Sequence, residues 1–177
     1  MAIRASQMAI HNLAVMGHKK IAVIGGDRET SDTTKQRYQG CLEAFQTHGI
    51  DFDPVLDYET VRFSFSEGYR AAKNLLARGR EFTAIYAMAD IMAIGAIRAL
   101  KDAGLRVPED VSVMGFDGLI MGRYTIPTLS TIRQNVDALA GRSIAILQEN
   151  ISNLQEPRYE TVNVAVELRE SVRNLKK

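Results

Sequence analysis

Apolar residues along the chain follow two alternating patterns: short continuous runs, and longer stretches in which they recur every three or four positions. The runs at residues 21–24, 83–87 and 111–114 are what strands buried on both faces require. Between them, Tyr38, Cys41, Leu42 and Phe45 share one face of a helix over residues 34–48, and Met92, Ala93, Ala96, Ile97 and Leu100 share one face of another. Residues 5–16 read as a helix stopped by Gly17, residues 66–77 as a helix ended by Gly79, and residues 54–58 as a weaker strand. Gly49 and Gly104 stand where a left-handed residue ends a helix, and Asp90 stands where a side-chain oxygen caps free N–H groups at a helix start. Such alternation predicts an α/β fold, a parallel sheet with helices on both faces joined by right-handed crossovers.

The last third changes character. Residues 126–134 are extended and carry a proline, and residues 136–154 form a long amphipathic helix with Val136, Ala140, Ile144, Leu147 and Ile151 in register. Val162, Val164, Val166 and Leu168 then alternate with Asn163, Ala165 and Glu167, the pattern of a half-covered strand near a sheet edge. The charged stretch 169–177 is expected to fray.

Composition narrows the possibilities. A chain of 177 residues with 46% hydrophobic content can bury one good core. With 22 basic and 21 acidic residues, it carries no basic patch or stripe of the kind that grips nucleic acid unaided. No apolar run reaches the roughly 18 residues of a membrane span, and the N-terminus lacks a charged segment followed by an apolar one, so a cytoplasmic location is expected. Cys41 is the only cysteine, which excludes an internal disulfide and reads as a packed thiol. His11, His18 and His48 share no metal-ligand spacing, and no nucleophile, base and orienting group are grouped, so neither a metal, a cofactor nor catalysis is expected. Gly25-Gly26 lacks both the dinucleotide fingerprint and a phosphate-loop lysine and is read as a turn, as is Glu109-Asp110.

Four segments together carry a family resemblance. The run MADIMAIGAIRALKDAGLRVPEDVSVMGFD ending at Asp117, the GHKKIA segment from Gly17, the RxxG of Arg37 to Gly40, and PTLSTIRQ ending at Gln134 resemble the effector-binding domain of the lactose/galactose repressor (LacI/GalR) family. These are bacterial transcription regulators whose core is similar to periplasmic sugar-binding proteins. The resemblance implies two α/β lobes linked by three crossovers, with an effector bound between them. It places residues 1–134 in the C-terminal lobe, 135–156 in the N-terminal lobe, 157–171 in the C-terminal lobe again, and 172–177 in a tail. The helix-turn-helix, the hinge helix and the first strands of the N-terminal lobe would then lie outside this sequence, as in a truncated product, a misplaced start or a degenerate gene. The stripe from Val136 to Ile151 would lack the strands it normally covers. It would pack on a second copy, rearrange against the C-terminal lobe, or remain as an apolar patch.

The same resemblance implies the site residues. Arg37 would grip a hydroxyl pair or a carboxylate of the effector, and Asp117, at a strand end, would accept hydroxyl or purine N–H groups. Phe63 would set a ring against the effector or plug the core. Thr33 would add a hydroxyl, Gln134 would line the crossover, and Asp90 would cap a helix or reach the ligand. Ala89 departs from the asparagine common in sugar-binding members, which leaves sugar, sugar phosphate and purine open as effector classes. Homodimerisation would use Ile94, Ile97 and Arg98, with Ile120 and Met121 in the loop 119–125, in preference to core packing for Ile97 and a flexible loop for residues 119–121. DNA would be bound only through the helix-turn-helix. The alternative readings are a sugar-binding protein of an ABC transport system and a small α/β enzyme.

Overall fold

The computed structural model describes residues 2–152 and 160–176. Among these, β1 (Ile21–Gly25), β2 (Tyr58–Thr60), β3 (Ala84–Ala87), β4 (Ser112–Asp117), β5 (Ser130–Gln134) and β6 (Val164–Glu167) form one sheet in the order β2-β1-β3-β4-β5-β6. The helices are α1 (Ala2–Val15), α2 (Asp32–His48), α3 (Phe65–Ala77), α4 (Asp90–Asp102) and α5 (Val136–Ser152). The three continuous apolar runs lie at the centre as β1, β3 and β4, and every residue of β1 and β3 is buried. All pairings are parallel except β5 with β6, which is antiparallel. The expected all-parallel sheet therefore gains a reversed edge strand, which tolerates one solvated face and matches the half-buried residues of β6.

Strand order explains where the helices go. The step from β1 to β2 runs one way along the sheet, and the steps from β2 to β3 and β3 to β4 run the other way, so right-handed crossovers put α2 on one face and α3 and α4 on the opposite face. α1 packs beside α2, and α3 beside α4. The last two cross at glycine: a Cβ at Gly68 would overlap the Met92 backbone, and one at Gly95 the Phe65 carbonyl. Cys41 is buried with its thiol pushed well up by burial, the inert packed thiol expected.

Three expectations are corrected. Residues 54–57 are a turn, not a strand, because the Asp53 carboxylate accepts the Val55 and Leu56 N–H groups (2.7 and 3.1 Å) and the Asp57 carboxylate accepts that of Asp53 (2.8 Å). Such local side-chain bonds outcompete a ladder, and β2 begins only at Tyr58. Residues 169–176 do not fray, since Ser171 is fully buried, donates to the Val113 carbonyl (2.6 Å) and accepts the Ser130 N–H (2.8 Å). His18, also buried, donates from Nε2 to the Arg173 carbonyl (3.1 Å) and ties the tail to the start of β1. Finally, Ile97 is core rather than surface, at 8% exposure. Ile94 packs partly against that core, whereas Arg98 is exposed and paired with Asp102 (2.9 Å).

Val136, Ala140, Ile144, Leu147 and Ile151 of α5 all face solvent. The stripe does not rearrange against the C-terminal lobe; within the single chain it is an apolar patch open to a second copy. The predicted helix end at residues 153–154 and the lobe boundary at 156–157 lie outside the described residues. A contiguous patch of this kind drives association. Sedimentation of the purified chain should show concentration-dependent self-association that the double substitution Ile144→Asp, Leu147→Asp reduces; a concentration-independent monomer would contradict this.

Candidate functional site

Reversal of the chain's direction at β1 creates a topological switch point between β1 and β3. In open α/β sheets a crevice forms there, outside the carboxyl ends of the strands. The segments after β1, β2, β3, β4 and β5 bring together Gly26, Phe63, Met88 to Asp90, Asp117 and Gln134, and α2 adds Thr34 and Arg37 from its first turns.

Arg37 is buried at 8% exposure and lies over the Phe116 ring, 3.7 Å from its centre. One guanidinium nitrogen donates to the Met88 carbonyl and another stands 3.9 Å from the Asp117 carboxylate. Gln134 donates to the same carboxylate oxygen (2.7 Å). Burial raises the Asp117 pKa, and the Arg37 charge, the Gln134 amide and the Asp90 backbone N–H work against that rise. Asp117 has φ of 119°, the one positive-φ non-glycine residue of the described chain, followed by Gly118 at 78°. A side chain held in that sparse region is strain of the kind that collects at functional sites.

Phe63 does not plug the core, since 43% of it is exposed. Its ring lies against Gly26, where an added Cβ would come within 2.7 Å of both Phe63 Cε2 and Thr34 Oγ1. Thr33 is exposed in the first turn of α2. Thr34 instead turns inward; its hydroxyl and Arg37 Nε are buried with no hydrogen-bond partner. Sequence reasoning passed over Thr34, although it lies three residues before Arg37 and so shares its helix face. Buried polar atoms without partners carry a cost that a polar ligand relieves.

Asp90 takes neither expected role. The N-cap of α4 is Ala89, which has no side chain to cap with, and Asp90 is the first helical residue, fully buried. Its carboxylate accepts the Leu119 N–H (2.7 Å) and the Thr131 hydroxyl (2.6 Å). The two aspartates form a reciprocal box: the Asp90 N–H favours the ionised Asp117 carboxylate, and the Asp90 carboxylate holds the Leu119 N–H just beyond Asp117. Asp90 is fully buried, and its carboxylate is taken up by Leu119 and Thr131.

Comparison with known proteins identifies this architecture. A periplasmic binding protein-like domain matches residues 10–172. The HTH-type transcriptional repressor PurR of Pasteurella multocida is 37% identical over 142 residues, covering 80% of this chain and 42% of that repressor. The chain belongs to the LacI family of transcriptional regulators. A LacI-family sugar-binding transcriptional regulator from Escherichia coli, solved with phosphate, superposes with a TM-score of 0.89 at 31% identity, over 98% of this chain and 62% of that one. The regulator CelR in complex with cellobiose gives 0.90 at 28% identity, over 96% and 52%. The resemblance read from the sequence motifs is thus borne out, as is the α/β fold with its mostly parallel sheet. The chain spans about half the length of the curated relatives it matches.

Within this LacI-family site, Asp90 supplies a test of the box. Burial lifts its pKa from 3.8 to about 6, with the Thr131 hydroxyl and the Leu119 N–H opposing. A folded-state pKa above the unfolded one means that the native protein binds the proton more tightly, so this group favours folding at low pH. That contribution is lost as pH rises from 3.8 to about 6 and is worth about 3 kcal/mol. Asp117 shifts in the same direction. An asparagine in place of Asp90 would mimic the protonated acid, its oxygen accepting from Leu119 and its amide donating to Thr131. Urea melts at several pH values should therefore show Asp90→Asn more stable than the parent above pH 6, and with a flatter pH profile; an equally steep profile would remove Asp90 as its source.

Proposed function

We propose that this chain is the effector-sensing and dimerisation module of a LacI-type transcriptional regulator. The observation that carries this reading is the convergence of Arg37, strained Asp117 and Gln134 with the unpartnered hydroxyl of Thr34 at the switch point of the sheet. A fork-shaped cation, a carboxylate, an amide and a ring edge suit a polar metabolite rich in hydroxyl, phosphate or N–H groups. Phosphate and cellobiose in the two solved relatives favour sugars and sugar phosphates, and Ala89 in place of the usual asparagine keeps purines in the set. No catalytic step is needed: effector binding favours one arrangement of the two lobes, and a dimer converts that arrangement into the spacing of two DNA-binding heads. DNA contact belongs to the helix-turn-helix of the intact cytoplasmic regulator.

Pairing would use the loop after β4, where Ile120, Met121, Tyr124 and Ile126 are all exposed, together with Arg98 of α4. The regulator reading is preferred over a transport binding protein because the matched relatives are transcriptional repressors and regulators. A calorimetric and thermal-shift panel of sugars, sugar phosphates and purines on the intact regulator tests it. At least one class should bind, and Asp117→Ala should abolish that binding while the fold is retained; equal binding by the variant would remove the crevice from the reading.

A further inference from the structure

Spacing along the chain keeps the histidines apart, but the fold joins two of them. His11 lies on α1 and His48 in the last turn of α2, and their Nδ1 and Nε2 atoms stand 3.1 Å apart. The ring centres are 5.0 Å apart with planes inclined at 50°. The pair borders a surface cavity of about 320 Å³ between the two helices, lined also by Arg4, Gln7, Met8 and Thr47.

Imidazole nitrogens bind first-row transition ions such as Zn²⁺ at about 2.0–2.1 Å, so two of them on one ion, at angles between octahedral and tetrahedral, stand about 2.9–3.4 Å apart. The observed 3.1 Å falls inside that interval. The ring centres are also closer than collinear rings joined by an N–H···N bond would be, so the ring axes are bent away from the line between the two nitrogens, as two ligands of one ion require. Partial burial, then the neighbouring His11 and Lys19, lowers the His48 pKa. Around the pair stand Arg4, the Lys19 ammonium bonded to the His48 carbonyl (2.8 Å), and Glu43, bonded by Gln7 (2.6 Å). No group of three or more His, Cys, Asp or Glu that could hold a metal occurs among the described residues.

We propose that His11 and His48 form a two-histidine chelate for a divalent first-row transition ion, with Cu²⁺ bound most tightly, then Ni²⁺ and Zn²⁺, and that the ion pins α1 to α2. Imidazole suits all three ions, and the order follows their intrinsic affinity for nitrogen. The clamp lies at the opposite end of α2 from Thr34 and Arg37, so it is a separate site from the crevice.

Chelator-treated protein is titrated with Cu²⁺ and Ni²⁺ at neutral pH by calorimetry. One ion per chain is expected, with a Tm rise of about 3–6 °C once free metal exceeds Kd tenfold. The Cu²⁺ electron paramagnetic resonance spectrum should show two imidazole nitrogens. Either His11→Gln or His48→Gln should weaken binding about tenfold or more, and both variants will fold because neither ring is in the core. Affinity unchanged in both variants, or no binding at millimolar metal, would overturn the assignment.

Discussion

Arg37→Ala will weaken effector binding by the intact regulator by about 100-fold, the equivalent of about 3 kcal/mol of charge-assisted hydrogen bonding. Arg37 is buried, its plane lies over Phe116, and it faces the Asp117 carboxylate. Alanine removes the cation, leaves the Met88 carbonyl without its donor, and strips Asp117 of the charge that counters its burial. A loss of about 2 kcal/mol in folding stability should accompany the loss of binding, since an unpaired buried acceptor costs about that much. Arg37→Lys should fail nearly as badly, because an ammonium is a point charge that neither stacks on Phe116 nor presents a planar fork. Calorimetry with the strongest ligand of the panel decides the matter. Near-native affinity in Arg37→Ala would mean that the effector is held elsewhere.

Gly95→Ala will destabilise the fold by about 3 kcal/mol, at the upper end of the usual cost of overpacking. The added methyl meets the Phe65 carbonyl and the Tyr69 nitrogen, backbone atoms that cannot rotate away, and Gly68 makes the reciprocal approach to the Met92 backbone. The two helices must separate or shift, and both are packed on the buried strands. For a chain of this size the change corresponds to a Tm lower by about 6–12 °C. Urea melts should show a lower midpoint with an unchanged m-value. Gly141→Ala is the control of opposite sign: a Cβ there meets nothing within 4 Å, and within α5 the change should stabilise the chain by about 0.5–1 kcal/mol. Similar effects from both substitutions would refute the close-approach account.

The elements easiest to read in the sequence were those whose burial is continuous or strictly periodic. β1, β3 and β4 sit in their apolar runs, and α2 ends at Gly49 with φ of 57° as its position implied. Where a short polar side chain competes with the backbone, the reading failed: Asp53 and Asp57 close a turn where a strand was expected. The charged tail misled in another way, since its few apolar and hydroxyl groups are the ones that dock, with Ser171 buried between Val113 and Ser130. Family motifs marked Arg37, Asp117 and Gln134, which the fold does gather. They did not mark Thr34, because a hydroxyl without a partner is a property of the space around it.

By itself the sequence determined the alternation of strand and helix, the buried strands at the centre of the sheet and the family to which the chain belongs, because periodicity and helix stops are local properties carried by neighbouring residues. Tertiary structure alone decided three things: that Asp90 faces Leu119 and Thr131 and so braces Asp117, that the α5 stripe is left in solvent, and that His11 meets His48. Each depends on segments far apart in the chain, brought together by strand order and helix crossing, and no spacing within one segment encodes such a meeting.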